Sequence, residues 1–117
     1  MTAANYQITI EQGATFKLNM TVYEADGTTL RNLTGFTARM MVREKYTSTA
    51  ALLTATTENT KIALGGALGT IAVTIPATET AAVVAKKGVY DFELVSNTGV
   101  VERLLEGAAV IRPEATK

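Results

Sequence analysis

The sequence predicts an all-β sandwich of seven to eight short strands with one short helix in a crossover. Runs of alternating apolar and polar residues recur at regular spacing, and turn residues such as glycine and asparagine separate them. Threonine, which is favoured in strands, accounts for 20 of the 117 residues. A chain of this length predicts one domain, 1–117, with an ordered core at about 6–112 and a polar tail at 113–117.

The first half of the chain contains three alternating runs, each of which predicts a strand with one face buried. A turn at Asp26 and Gly27 precedes the third run, which we expect to be a central strand. The inward positions of the three strands are Tyr6, Ile8 and Ile10, then Phe16, Leu18, Met20 and Val22, and then Phe36, Ala38, Met40 and Val42.

The second half continues with an edge strand at 52–56. A short strand, a glycine turn and a further strand follow, and the inward residues of that last strand are Ile71, Val73 and Ile75. Pro76 then suits the start of a helix and Gly88 suits the residue after one, which predicts a two-turn helix at about 77–86. After a hairpin, a final short strand is stopped by Pro113.

The hairpin is the stretch "GVYDFELVSNTGVVERLLEG", residues 88–107, which turns at "SNTG". One register of the two strands avoids placing Glu93 opposite Glu102, and like charges directly opposite each other are destabilising. This register pairs Phe92 with Leu104, Leu94 with Glu102, Val95 with Val101, and Glu93 with Arg103.

The charged residues of this hairpin have two interpretations. Asp91 and Glu93 lie on one strand face, as a carboxylate pair for acid–base or metal chemistry requires. If the strand at 36–43 lies alongside, however, arginines share that face and form a cross-strand ladder with the carboxylates, in which each exposed pair contributes about 0.2–1 kcal/mol. The second interpretation is favoured, and the ladder is made of Arg39, Arg43, Asp91, Glu93 and Arg103.

Composition argues against catalysis. The chain has no histidine, cysteine or tryptophan, and so lacks the commonest general base, the thiol nucleophile and the usual nitrogen ligand of metals. The glycine-rich residues 64–70 precede a strand and not a helix, so they predict a hairpin turn and not a phosphate loop. We expect no enzymatic activity, catalytic residues, cofactor, metal or small-molecule substrate.

Charge and hydropathy argue against nucleic acid and membranes as partners and against secretion. Eleven basic and eleven acidic residues give a formal net charge of zero, so nothing steers the chain towards nucleic acid. No apolar run approaches the roughly 18 residues of a membrane-spanning helix. The N-terminus lacks a basic segment followed by an apolar one, so we expect no secretion by a signal peptide, and no nucleic acid or membrane as partner.

Some strands carry apolar residues on both faces, as at Met40 beside Met41 and Leu104 beside Leu105. One face of a two-layer sandwich is normally wet, so an apolar outer set indicates either internal cover by a loop or helix, or an assembly partner. These two explanations have equal weight at this point. The candidate interaction surface consists of Met41, Val95, Val101 and Leu105.

Several segments together resemble a group of small tailed-phage and prophage proteins. These segments are "EQGATF", "DGT" with "LTGFTARM", "TETAA" before "GVYDFEL", and "RLLEGAAVIRPE". The similarity spans roughly residues 6–116 and extends to the immunoglobulin-like N-terminal domain of the upper baseplate protein of phages that infect Gram-positive bacteria. It implies an immunoglobulin-like sandwich and carries no catalytic residues.

The resemblance also implies a non-enzymatic structural component of the virion, made in the host bacterial cytoplasm. Such a protein docks to other phage structural proteins, or to copies of itself, in a tail, baseplate or fibre attachment. The upper baseplate domain is followed by long extensions, whereas this sequence ends at Lys117, which leaves a capsid decoration or accessory role as an alternative. A cell-surface or carbohydrate-binding module is the other alternative, although sugars usually stack on exposed aromatic rings and aromatic content is 6%.

Overall fold

The structure is a computed structural model that describes residues 3–84 and 87–116. Its strands form where apolar and polar residues alternate along the chain. The strands in this part of the chain are β1 (Ala4–Asn5), β2 (Ile8–Glu11), β3 (Phe16–Thr21), β4 (Thr37–Arg43), β5 (Leu53–Thr56), β6 (Ile62–Leu64), β7 (Thr70–Ile75), β8 (Lys87–Val95) and β9 (Val101–Arg112). A short 3₁₀ helix (Gly66–Leu68) lies between β6 and β7, and one α-helix, α1 (Ala77–Ala81), lies between β7 and β8.

The strands form two sheets. In the larger sheet β9 pairs with β8, β8 with β4, and β4 with β5, all antiparallel, while β1 and β2 both pair in parallel with β9. The smaller sheet has the antiparallel order β3, β7, β6. This is the strand order of an immunoglobulin-like sandwich in which the first strand lies beside the last one. The predicted fold class is confirmed.

Two strand predictions differ from the structure. The N-terminal strand begins at Ile8 and not at Tyr6, which is 51% exposed and not inward as predicted, and a separate short strand, β1, precedes it. The predicted final short strand is the second half of one long strand, β9. The long strand ends at Arg112, directly before Pro113, which lacks the N–H needed to continue the ladder. The predicted edge strand is β5, which pairs with β4 alone.

The core lies between the sheets and is formed by the inward positions that alternation predicts. In β4 and β7 these are Ala38, Met40, Val42, Ile71, Val73 and Ile75, all at most 1% exposed. Phe92 and Leu94 of β8, and Ala109 of β9, are fully buried beside them. In β3, by contrast, only Phe16 is buried, while Leu18 and Met20 are half-buried.

The helix is shorter than the predicted 77–86. It ends at Ala81, because Val83 turns into the core and is only 3% exposed, and β8 has already begun at Lys87. Residues 85–86 lie outside the described residues. The fully buried Thr80 connects the helix to the turn after β2, since its hydroxyl accepts the Gly13 N–H at 3.2 Å and lies 2.8 Å from the Ala14 carbonyl oxygen.

The N-terminal strands are attached to β9 at the point where they are divided. The buried Tyr90 hydroxyl donates to the Tyr6 carbonyl, and the Tyr6 N–H donates to the Glu106 carbonyl at 2.9 Å. Burial raises the pKa of Tyr90 to about 12. Gly107, opposite Tyr90, has a φ of 154°, and a Cβ atom there would lie 2.8 Å from the Tyr6 carbonyl oxygen. Only glycine allows the chains to approach this closely.

Candidate functional site

The outer face of the larger sheet holds most of the predicted site residues. We define this outer face as the side chains of β4, β8 and β9 that point away from the smaller sheet. Strand alternation and the registers of β4 with β8 and of β8 with β9 determine its members. They are Thr37, Arg39, Met41, Arg43, Lys87, Val89, Asp91, Glu93, Val95, Val101, Arg103, Glu106, Ala108, Val110 and Arg112.

The charged residues of the outer face form a connected set of ion pairs. Arg39 Nε lies 2.8 Å from a Glu93 carboxylate oxygen. Arg103 reaches Glu93 at 3.5 Å, Asp91 at 3.6 Å and Glu106 at 3.3 Å. The structure therefore brings together four of the five residues of the predicted ladder.

Arg43 lies on the same face but is engaged elsewhere. Its guanidinium donates to the carbonyl oxygens of Ser48 and Thr49 at 3.2 and 3.0 Å, in the loop that follows β4. No ion pair of Arg43 with a carboxylate occurs within the described residues. Arg43 therefore holds the loop and is not part of the ladder.

A β-bulge changes which face β9 presents. Three cross-strand pairs match the predicted register: Glu93 with Arg103, Leu94 with Glu102, and Val95 with Val101. The register then shifts between Phe92 and Glu93, so that Phe92 pairs with Leu105 and not with Leu104. Leu104 and Leu105 both pack against the core, partly buried. Placing Leu105 on the interaction surface was therefore wrong, because the extra residue of the bulge turns its side chain inward.

The predicted apolar residues that remain on the outer face lie in two places. Val95 and Val101 pair at the turn end of the hairpin, where Val101 is 48% exposed and the neighbouring Val100 is 60% exposed. Met41 lies at the other end, in a shallow depression of about 200 Å³ that Val89, Tyr46 and Asp91 also line. Sequence reasoning missed Val89 and Tyr46, although the position of Val89 follows from alternation in β8.

Asp91 is in an unfavourable environment for a charge. Burial, reinforced by the nearby carboxylate of Glu93, raises its pKa although Arg103 acts in the opposite direction. Because the folded protein binds the carboxyl proton of Asp91 more tightly than the unfolded chain does, protonated Asp91 contributes to the stability of the fold at low pH. This contribution is lost as the pH rises through the folded-state pKa of Asp91.

Replacing Asp91 with asparagine should therefore leave the protein at least as stable as the wild type at pH 7. Urea unfolding of both proteins at pH 3 and pH 7 would measure this. The wild type should lose stability relative to Asp91→Asn as the pH rises, and Glu93→Gln serves as the comparison, since Glu93 pairs with both Arg39 and Arg103. A clear loss of stability in Asp91→Asn at pH 7 would contradict this account.

A second ion pair, which sequence reasoning did not find, connects the loop between β3 and β4 to β9 of the larger sheet. Arg31 Nη1 donates to Glu102 at 2.8 Å, its Nη2 contacts the other carboxylate oxygen, and the guanidinium lies 5.4 Å from the centre of the Phe36 ring. The hydrogen bond from Arg31 lowers the pKa of Glu102. Residues so far apart in the chain carry no local signal of such a pair.

These contacts describe a face on which charge pairs link β4, β8 and β9. Each carboxylate of the ladder contacts at least one arginine, so the arrangement fixes register and presents a mixed apolar and charged surface. Within residues 3–84 and 87–116 no three acidic side chains are grouped as a metal site. No helix in that part of the chain has the length and apolar character to cross a membrane.

Comparison with known proteins finds no family model and no curated protein that matches this chain.

Proposed function

We propose that this protein is a non-enzymatic structural component of a tailed-phage virion, which acts by docking to other virion proteins in a tail, baseplate or fibre attachment. The resemblance of the segments quoted above supports the virion assignment. The observation that carries the docking role is the exposure of Val100 and Val101 at the turn end of the hairpin, beside Val95 of the outer face. Exposed apolar clusters surrounded by charges are typical of protein interaction surfaces.

In this role the ion-pair ladder orients the partner. Apolar contact at Val95, Val101 and Met41 would supply the binding free energy, while the charges around them favour one orientation and oppose others. The ladder residues already pair with one another, so a partner must match them without leaving a buried charge unpaired. Specificity would thus come from the charges and affinity from the apolar residues.

Particle association tests the proposal. Tagged protein would be produced in a strain that carries the phage or prophage, and purified particles would be probed for the tag. Wild type should co-purify with particles, whereas Met41→Lys combined with Val101→Lys should reduce association by about tenfold or more, because lysine ammonium groups would be desolvated at the interface. Thr70→Lys, at an exposed position of the smaller sheet opposite the uncharged Thr21, is the control and should associate normally.

Each outcome of this experiment is informative. If the wild type is absent from particles, the protein is not a virion component. If the double variant associates as well as the wild type, another surface docks. Thermal unfolding of both variants establishes that they are folded. Enrichment of the tag in capsid rather than tail fractions would favour the decoration role.

A second candidate function is carbohydrate binding at the depression beside β4. The specific observation in its favour is Tyr46, which is 59% exposed at this depression together with Asp91 and Glu93, so that an aromatic ring and carboxylate acceptors lie close together. A glycan array that detects binding by wild type and none by Tyr46→Ala would support it. The absence of any binding would leave docking as the function.

A further inference from the structure

We infer that the free edge of β3 is a docking site for an extended segment of a partner protein, which adds a fourth strand to the smaller sheet. This site is distinct from the outer face of the larger sheet. It stands whether or not the outer face docks.

The backbone of β3 leaves hydrogen-bonding groups unpaired along this edge. Val22 N–H donates to the Gly69 carbonyl at 2.8 Å, and the register of β3 with β7 extends this pairing to the even-numbered residues of β3. In an antiparallel ladder the intervening residues direct their N–H and C=O groups the other way. Those of Lys17, Asn19 and Thr21 therefore point away from β7, and no strand of the described chain pairs with them.

The other sheet edges are less suited to an added strand. At β5 the side chain of Asn59 occupies the outward groups, accepting from Thr56 N–H at 2.9 Å and donating to the Thr54 carbonyl at 3.2 Å. At β6 the strand has only three residues. At β2 the inward residues Ile8 and Ile10 are already buried, so an added strand would cover little apolar surface.

At β3, by contrast, apolar surface remains to be covered. Leu18 and Met20 face inward but are only half-buried. Arg31 connects the end of β3 to β9, since its N–H donates to the carbonyl of Val22, directly after β3, at 2.9 Å and its guanidinium pairs with Glu102 of β9. An added strand would cover the half-buried side chains of β3 and gain backbone hydrogen bonds together.

The chemistry of the edge describes the occupant. The inward residues of the added strand would lie beside Leu18 and Met20, so they must be apolar. Its outward residues would lie beside Asn19 and Thr21, which are exposed, so they must be polar. An acidic residue opposite Lys17 would complement the charge. An antiparallel direction gives the same pairing as that of β7 with β3.

A single extended segment fits this edge better than a second folded copy does. Residues 12–15 connect β2 directly to β3, and a depression of about 350 Å³ between these strands is lined by Thr9, Glu11 and Lys17 among others. A second copy paired through β3 would place a whole domain beside this connection, whereas an extended segment occupies only the edge itself.

The test uses a seven-residue synthetic peptide in which valine alternates with polar residues and a glutamate is placed to face Lys17. Titration of the isotope-labelled full chain by NMR up to about 1 mM peptide should shift the backbone amides of Lys17, Asn19 and Thr21. A peptide of the same composition in scrambled order is the control. The outer-face variant carrying Met41→Lys and Val101→Lys should bind the peptide as the wild type does, which separates this site from the proposed function.

Proline at position 19 provides the decisive variant. The Asn19 N–H points away from β7, so Asn19→Pro removes an outward donor while leaving the ladder with β7 intact. Peptide binding should weaken by about tenfold or more, while Asn19→Ala keeps the N–H and should bind normally. If Asn19→Pro does not fold, Thr21→Pro removes another outward donor.

Three results would overturn the inference: no amide shifts at the highest peptide concentration, shifts confined to the outer face, or equal binding by the proline and alanine variants. Light scattering of the free protein gives a further check. Self-association that Asn19→Pro abolishes would show that a second copy occupies the edge, and would contradict the occupant proposed here.

Discussion

Replacing Gly107 with alanine should lower the free energy of unfolding by about 3 kcal/mol, because a strained φ and a backbone clash add together. The φ of Gly107 is 154°, and a Cβ atom would lie 2.8 Å from the Tyr6 carbonyl oxygen, which also accepts the hydroxyl proton of Tyr90. Alanine would push Tyr6 away from β9 and break the parallel pairing of β1. Urea unfolding at neutral pH measures the loss.

Gly99→Ala is the matched control for this prediction. Gly99 also has a positive φ, 89°, but a Cβ atom there would meet nothing within 4 Å. Its replacement should therefore cost about 1 kcal/mol, from backbone strain alone. Equal losses in the two variants would mean that Tyr6 does not approach Gly107 as closely as the structure describes.

Replacing Phe92 with alanine should have the largest effect, a loss of about 4 kcal/mol, because it removes a fully buried ring and leaves a cavity. Phe92 lies in β8 between its cross-strand partners Met40 and Leu105, at the centre of the larger sheet. Its ring thus packs where the two sheets meet. Chemical unfolding monitored by circular dichroism would give the difference in free energy.

The comparison for Phe92→Ala is Val101→Ala on the outer face of the same hairpin. Val101 is 48% exposed, so removing two methyl groups should change the free energy of unfolding by no more than about 0.5 kcal/mol. A Phe92→Ala variant that unfolds at nearly the same urea concentration as Val101→Ala would show that the buried face of β8 has been misassigned.

Much of the fold follows from short-range alternation. The inward faces of β4 and β7 are predictable because the pattern repeats every two residues, and the burial of one residue implies that of the residue two positions away. The location of β5 follows in the same way from a short run between turn residues. These features depend only on neighbours within a single strand.

Features that depend on distant residues were not predictable. The bulge near Phe92 arises from how two strands pair, and alternation within β9 alone does not indicate where the extra residue lies. The parallel pairing of β2 with β9 joins residues about 100 positions apart. The helix was overestimated because its alanines favour helix, whereas burial of Val83 against the sheets ends it after Ala81.

The candidate site was partly predictable for the same reason. Arg39, Asp91, Glu93 and Arg103 meet because correct faces and a nearly correct register suffice to place them together. Arg43 could not be placed from the strand pattern, since loop carbonyls compete for its guanidinium. Leu105 was misplaced because the bulge reverses the face of every residue that follows it in β9.

The parallel pairing of β1 and β2 with β9 also has a mechanical consequence. Ala4 lies beside Leu105, seven residues before Arg112, so Ala4 and Arg112 are separated by roughly 23 Å along the strand direction. A force that pulls these two residues apart runs parallel to the strands and therefore across the hydrogen bonds. The bonds between β2 and β9 must then break together and not one after another, so the domain resists stretching along this axis far better than peeling from an edge.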